Sequence, residues 1–377
     1  MTEILVFFDK RFVKQAIQEL KLMLSGDYTI KSYISDSIIV VSTGMEYEDI
    51  AKNFLLSAPV FIDRVSELNE IIGVKDGYSA LVDALHGIIE GAGKKAPKIE
   101  VLKEYANDQR HAKDIEVELG LALETKEDIP NLKNPDIMLY VILKGDKAYV
   151  FMGDFRDAYG SALDHFRHRN MDAEVLENRI SRAEFKVYEA VNYFGIKLEQ
   201  GMRALDIGAA PGGWTRYLIK NGLRVVAIDA GNIDYAKMPK GIRMAIAPGE
   251  NREAYNVEGI DILAASELEG RGKDYELLHI KELFGRIKLS TLVGLGPFDI
   301  LCIDINIPAQ EAAVIAAVCS EALKAKGKLI LTLKMTDDNI ERNVEKSKEA
   351  LAATYDGIRV KKLPHDRKEL TLFAIKI

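Results

Sequence analysis

From Met202 to the end of the chain, short apolar runs alternate with longer stretches whose apolar residues recur at helical spacing. This pattern predicts strand 202–208, helix 213–221, strand 224–229, strand 298–305, helix 309–325, strand 327–335, helix 337–355 and strands 357–363 and 369–377. Strands that alternate with helices imply a parallel sheet covered on both faces, an α/β doubly wound architecture. The connector His365-Asp-Arg-Lys368 is too short for a crossover, so the last two strands must pair as an antiparallel hairpin at the sheet edge. Residues 242–296 show no clean period and are rich in glycine and charge, and they read as an insertion or a lid.

The first half is patterned differently. Residues 1–90 read as a small α+β domain: strand Ile4 to Phe8, helix Lys10 to Leu24, strand Ile30 to Ser42, then two amphipathic stretches. Gly91 to Pro97 marks a boundary. Residues 91–153 follow as a second domain with an apolar-alternating start at Ile99 to Tyr105 and a helix from Lys113 to Glu124. Its hairpin, Ile137 to Leu143 and Ala148 to Met152, turns at Gly145-Asp146. Residues 154–200 read as a mostly helical connector, and 201–377 as the doubly wound domain.

Composition narrows the setting. A chain of 377 residues with 48% hydrophobic content can bury a substantial core in two or three domains. No apolar run reaches membrane-spanning length and the amino terminus lacks an export signal, so a soluble cytoplasmic protein with no membrane partner is expected. Cys302 and Cys319 sit in apolar segments and read as buried thiols rather than as a disulfide or metal site. His165 and His168 have metal-compatible spacing without a companion ligand, so no metal is expected and a surface role is preferred. The formal charge is −7, with most of the acidity in residues 1–90, which argues mildly against a nucleic-acid partner. Such a partner would need a local basic face, for which Arg167, Arg169, Arg179, Arg182 and Lys186 are available. The same cluster reads equally well as a solvated helix surface.

The chemistry concentrates at Ala204-Leu-Asp-Ile-Gly-Ala-Ala-Pro-Gly-Gly-Trp-Thr215, followed by an apolar run ending in Asp229. An apolar strand, a glycine turn, a helix start and a second strand tipped with an acid is the layout that holds an adenosyl cofactor at the edge of an α/β sheet. The spacing of Gly208, Gly212 and Gly213 is not that of a dinucleotide fingerprint, and no Lys-Ser/Thr pair marks a nucleoside-triphosphate loop. A ligand with ribose and adenine but no pyrophosphate remains, and S-adenosylmethionine fits. Gly208, Ala209, Pro211, Gly212, Gly213 and Trp214 are the candidate turn residues, with Pro211 expected at the first helical position and Asp229 expected to accept from ribose hydroxyls. The competing reading is a tight turn with no ligand, against which a tryptophan beside two glycines is an odd choice. Asp206, inside its strand, is expected to hydrogen-bond the glycine loop rather than act chemically.

Two further strand ends carry charge, Asp304 and Lys334, and an open parallel sheet binds ligands beyond its carboxyl edge. A buried ion pair without function would look the same. The set Ser181-Arg-Ala-Glu-Phe-Lys186, Asp206 to Thr215, Asp304 and Lys334 resembles the FtsJ-like RNA 2′-O-ribose methyltransferases. That resemblance implies a class I methyltransferase fold and a Lys-Asp-Lys-Glu tetrad formed by Lys186, Asp304, Lys334 and Glu369. It also makes Trp214 part of the cofactor wall and Glu250 the candidate acid for adenine. Ala112-Lys-Asp-Ile-Glu-Val-Glu-Leu-Gly120, Asn134-Pro-Asp136 and the following hairpin resemble a THUMP RNA-binding domain. A ferredoxin-like domain, then THUMP, then the catalytic domain is the order of RlmM-type ribosomal-RNA methyltransferases. The resemblance therefore implies RNA as partner, large-subunit ribosomal RNA in particular and not DNA, with Arg167, Arg169 and Arg182 as RNA contacts. His365 would then contact substrate or shape the hairpin turn. A catalytically silent RNA-binding protein and a small-molecule methyltransferase are the alternatives.

Overall fold

The computed structural model describes residues 1–153, 179–248, 258–268, 272–335 and 339–377. The chain divides into two compact units, Met1–His168 and Arg169–Ile377.

The first unit opens with β1 (Thr2–Phe8), α1 (Val13–Met23), β2 (Thr29–Ser35), β3 (Ile38–Thr43), α2 (Tyr47–Ser57) and β4 (Ile62–Glu67), whose strands form one antiparallel sheet in the order β2-β3-β1-β4. The single strand expected over 30–42 is thus a hairpin, because the chain turns at Asp36-Ser37. β3 is buried throughout, whereas β2 is buried only at Ile34. β4 escaped the pattern because polar Arg64 and Ser66 share the buried face with Ile62.

A second sheet is built from β5 (Glu70–Gly73), β6 (Pro97–Ala106), β7 (Ile137–Gly145) and β8 (Lys147–Gly153) in the order β5-β8-β7-β6, with only β6 and β7 parallel. Its helices are α3 (Ser79–Gly91) and α4 (Ala112–Glu124). Leu81, Leu85 and Ile89 of α3 pack with Ile115 and Leu119 of α4 and Val141 of β7, so β5 and α3 belong to this sheet although they precede the boundary expected near residue 90. The sheet's other face meets the first sheet through Phe7, Val40, Tyr140 and Phe151. Burial of these large apolar and aromatic faces is what makes the two sheets one unit.

The second unit comprises α5 (Ala183–Tyr193), β9 (Arg203–Ile207), α6 (Gly213–Lys220), β10 (Arg224–Ile228), β11 (Met244–Pro248), β12 (Ile260–Ile262), β13 (Leu277–Lys281), α7 (Leu289–Leu295), β14 (Phe298–Ile303), α8 (Ala309–Cys319), β15 (Leu323–Lys334), α9 (Ile340–Leu351), β16 (Tyr355–Lys361) and β17 (Glu369–Lys376). These strands make a nine-stranded sheet in the order β12-β11-β13-β10-β9-β14-β15-β17-β16. Only β17 runs against the rest, inserted between β15 and β16 as the second arm of the expected hairpin. The stretch read as an insertion or lid instead supplies β11, β12, β13 and α7. Its strands are only three to five residues long, too short for periodicity to emerge among the surrounding polar loops. Both cysteines are free and buried.

Candidate active site

The parallel register brings three strand ends together. Ile207 of β9 lies opposite Ile228 of β10 on one side and Ile303 of β14 on the other, so Gly208, Asp229 and Asp304 emerge side by side at the carboxyl edge. The Asp304 N–H donates to the Ile207 carbonyl at 3.0 Å. Gly208 has a φ of +84°, and a Cβ there would stand 2.6 Å from the Asp304 carbonyl oxygen. That glycine is needed for the close approach of two strand ends as well as for the turn. At Gly213 a Cβ would meet Ser181 Oγ at 2.6 Å. The helix begins only at Gly213, with Gly212 in the left-handed region as its cap, so Pro211 precedes the cap rather than occupying the first helical position. The reason is the tight turn closed by Gly212 N–H on the Ala209 carbonyl at 2.6 Å.

Asp229 shapes the loops on both sides of it. Its Oδ2 accepts from Ala210 N–H at 3.0 Å and its Oδ1 from Gly231 N–H at 2.7 Å, leaving each oxygen a further lone pair. Behind it lies a residue that the sequence did not single out, His279 on β13, which is fully buried. Its Nε2–H donates to the Asp229 carbonyl at 2.9 Å, which leaves Nδ1 to accept from the Tyr235 hydroxyl at 2.5 Å. Burial pushes the His279 pKa down to about 4, so the imidazole is neutral. A lone histidine inside Leu277-Leu-His-Ile280, where no strand was expected, gave no signal. Asp206 is buried too and accepts from Thr215 Oγ1 of α6 at 2.6 Å, a bond to the helix rather than to the glycine loop itself. Burial pushes its carboxyl up to about 7.

Trp214, read as cofactor wall, is 3% exposed and packs among Val187, Ala190 and Leu218 in the core. The short helix α6 turns this face toward the interior. Ser181 Oγ, against Gly213, and Trp214 Nε1 are buried without a hydrogen-bond partner among the described residues.

The four charged residues expected to form a tetrad are brought together from four elements. Lys186 comes from α5, Asp304 follows β14, Lys334 ends β15 and Glu369 begins β17, where it lies directly opposite Lys334. Lys334 Nζ donates to Asp304 Oδ1 at 2.6 Å and to Glu369 Oε2 at 2.7 Å. Lys186 Nζ reaches Asp304 Oδ2 at 3.3 Å and also pairs with Glu369 Oε1. The result is a closed ring of alternating sign whose side chains are 12–19% exposed. Burial disfavours the Lys334 ammonium, but Asp304 and Glu369 outweigh it and raise its pKa above the ordinary lysine value. Conversely, burial would lift Glu369, and Lys186 and Lys334 hold it below the ordinary range.

Two further contacts fix α5 in place. Glu184 Oε1 accepts from Arg216 of α6 at 2.7 Å in a pair less than 6% exposed. His365, expected to touch substrate or shape the turn, receives both its roles from α5: its N–H donates to Glu189 Oε2 at 3.0 Å, its ring pairs with Glu189 Oε1, and it lies 4.7 Å from the Phe185 ring. Arg182 is exposed at the start of α5. Arg167, Arg169, Glu250, His165 and His168 lie outside the described residues. The strand beside β10 is β13, with β11 one place further out. The acid at the strand end next to Asp229 is therefore Glu282, whose Oε1 accepts from Leu283 N–H at 2.8 Å.

These groups fit S-adenosylmethionine. Asp229 offers acceptors, the glycine turn lets backbone approach, and the Ser181 hydroxyl at that turn, without a partner among the described residues, is a polar group left for a ligand.

Residues 179–364 match the FtsJ-like methyltransferase family. Ribosomal RNA large subunit methyltransferase M from Shewanella halifaxensis (strain HAW-EB4) is 26% identical over 317 residues, covering 79% of this chain and 83% of that protein. The protein of the same name from Marinomonas sp. (strain MWYL1) is 24% identical over 258 residues, covering 64% and 71%. Among solved structures, TrmN from Thermus thermophilus spans 100% of both chains at 14% identity with a TM-score of 0.35, too loose a match to bear on the assignment. The family match runs from the Ser181 segment through the glycine turn to Asp304 and Lys334, and on that ground the chain carries an FtsJ-like methyltransferase domain and is an S-adenosylmethionine-dependent methyltransferase.

Proposed function

We propose that the protein methylates a ribose 2′-hydroxyl of RNA, large-subunit ribosomal RNA in particular, and does so in the cytoplasm. The observation that carries this reading is the closed Lys186-Asp304-Lys334-Glu369 ring at the carboxyl edge of the sheet, beside Gly208 and Asp229. A small-molecule methyltransferase has no need of that ring. The names of the relatives point to the ribosomal substrate.

S-adenosylmethionine supplies a methyl group on a sulfonium, already a strong electrophile. The protein's tasks are to align the acceptor oxygen and to help a weakly acidic hydroxyl lose its proton. Two of the three Lys334 N–H groups are taken by Asp304 and Glu369, leaving the third to donate to the ribose oxygen. With its pKa raised, Lys334 is an ammonium that steadies the negative charge developing on that oxygen. The hydroxyl proton leaves toward a carboxylate oxygen of the ring or to water. Lys186 bridges the two carboxylates and, with Lys334, holds Glu369 below the ordinary range. Asp229 would hold the cofactor ribose and Glu282 the adenine side, while Gly208, Ala209, Gly212 and Gly213 form the turn around it.

The amino-terminal sheets complete the reading. The β-α-β-β-α-β order of β1 to β4 supports a ferredoxin-like domain, and the sheet β5 to β8 a THUMP-like module that holds RNA. Incubation with radiolabelled S-adenosylmethionine and total RNA from cells lacking the protein, followed by mapping of labelled nucleotides, tests the proposal. Label on ribose is the expected result. Label on a base, or none on RNA, overturns it.

A further inference from the structure

The tetrad cannot draw RNA to itself, because two ammonium groups and two carboxylates sum to zero, and the chain as a whole carries −7. Attraction for a polyanion must come from cations near the ring that no carboxylate neutralises. The hairpin connector His365-Asp-Arg-Lys368 supplies two. Its acid is turned inward: Asp366 is fully buried and accepts from Leu363 N–H at 3.1 Å and Thr371 Oγ1 at 2.9 Å. Arg367 and Lys368 are exposed and have no carboxylate partner among the described residues. Lys368 immediately precedes Glu369, and its carbonyl accepts from Met335 N–H, next to Lys334, at 3.2 Å.

Helix α5 faces the same connector, since Phe185 and Glu189 both contact His365. Arg182 stands three residues before Phe185, on the same side of the helix, exposed and likewise without a carboxylate partner among the described residues. The acids of α5 are withdrawn from this surface, Glu184 into its pair with Arg216 and Glu189 onto His365. An acidic protein thus presents uncompensated positive charge on two sides of its candidate catalytic ring. The ring is mostly buried, so a ribose must leave a base-paired helix to reach it.

We infer that Arg182, Arg367 and Lys368 form a basic rim that grips the phosphates of single-stranded RNA and presents one ribose to the tetrad, an inference that rests on the RNA reading above. The test uses the full chain, a fluorescein-labelled single-stranded 20-nucleotide RNA of mixed sequence, and a potassium chloride series. Each cation removed lowers the slope of log affinity against log salt by about 0.7, so R182E/R367E/K368E loses about 2 from the slope and about tenfold or more in affinity at low salt. S-adenosylmethionine affinity and melting temperature stay at wild-type values. A control elsewhere on the surface, K197E/K220E, reverses two exposed lysines at the opposite end of β9 and α6 and leaves the slope unchanged. R182Q/R367Q/K368Q repeats the measurement without added negative charge in case the reversal unfolds the protein. Wild-type slope and affinity in the glutamine variant, while the wild type methylates RNA, overturn the rim and leave the functional reading standing. A wild type that methylates no RNA overturns both.

Discussion

Lys334 and Glu369 sit directly opposite one another in the antiparallel β15–β17 pair, with Nζ and Oε2 2.7 Å apart. Because β17 is the one strand that runs against the sheet, its first residue meets the last residue of β15 at the carboxyl edge where the cofactor turn lies. A parallel strand in that place would have brought its carboxyl end, not its first residue, to the same edge. The reversed strand is therefore what closes the ring, and the pairing register fixes the distance between its charges.

Replacing Lys334 with alanine removes the only donor of the ring that Asp304 Oδ1 and Glu369 Oε2 share. Methyl transfer should fall by about 10²-fold or more, the range for loss of a positioned proton-handling group, while S-adenosylmethionine binding changes little. Single-turnover transfer and equilibrium dialysis measure the two effects separately. Turnover within a few-fold of wild type would remove Lys334 from the mechanism. An arginine at this position keeps the charge but not the compact ammonium, and it should restore little activity.

Gly208→Ala tests whether the turn is bare for packing or for ligand alone. Its positive φ and the 2.6 Å approach of a Cβ to the Asp304 carbonyl both oppose the substitution. Strain of this kind costs about 1–3 kcal/mol, so the variant should melt several degrees lower and displace Asp304 enough to slow transfer. Unchanged melting with weakened cofactor binding would show instead that the glycine serves the ligand only.

The catalytic half was legible in the sequence because its strands are long, apolar and separated by amphipathic helices. The β16–β17 hairpin followed from the shortness of the connector alone. Asp304 and Lys334 were legible because they end apolar strands, where an unpaired ion would be costly, whereas Lys186 on a helix and Glu369 at the start of a strand came only from the family resemblance. His279 was not, since hydrogen bonding to a backbone carbonyl across a strand leaves no trace in local pattern. Trp214 misled for a related reason: on α6 the side chain beside the glycines turns inward, and an aromatic next to a cofactor turn is as useful to the core as to a ligand. In the first unit β4 was hidden by Arg64, whose guanidinium is buried over the Tyr140 and Phe151 rings at 4.8 and 5.2 Å. A cation stacked on aromatic faces occupies a core position that a hydrophobic pattern cannot register.

Asp206 makes stability depend on pH in a direction opposite to most carboxylates. Burial raises its pKa to about 7, so between the ordinary aspartate value and pH 7 the folded state binds the proton that the unfolded state has released. Its contribution is therefore fully present below the ordinary value and lost as pH rises toward 7, at up to about 1.4 kcal/mol per pH unit. Asp206→Asn keeps an acceptor for Thr215 and abolishes the titration. Relative to wild type, the variant should gain stability on going from pH 5 to pH 8 in urea unfolding. A difference between the two proteins that is flat with pH would mean that Asp206 does not titrate in this range.

The buried pair Glu184–Arg216 ties α5 to the helix that follows the glycine turn, and Lys186 is two residues from Glu184 on the same helix. Removing one partner leaves the other charge buried and uncompensated, so Glu184→Gln and Arg216→Met should each cost about 3–5 kcal/mol. Removing both strands no charge, although the Arg216 Nε bond to the Lys237 carbonyl at 2.9 Å and the Ile180 N–H bond to Glu184 Oε2 at 3.3 Å change with them. The double variant should therefore lose clearly less than the sum of the single losses, with a coupling of about 1 kcal/mol or more in a double-mutant cycle. Transfer rate provides a second readout, because a loosened α5 lets Lys186 drift from Asp304 and Glu369: the folded single variants should show a lower kcat at unchanged cofactor affinity. Additive stabilities together with a wild-type kcat would show that the pair neither couples the two helices nor positions the ring.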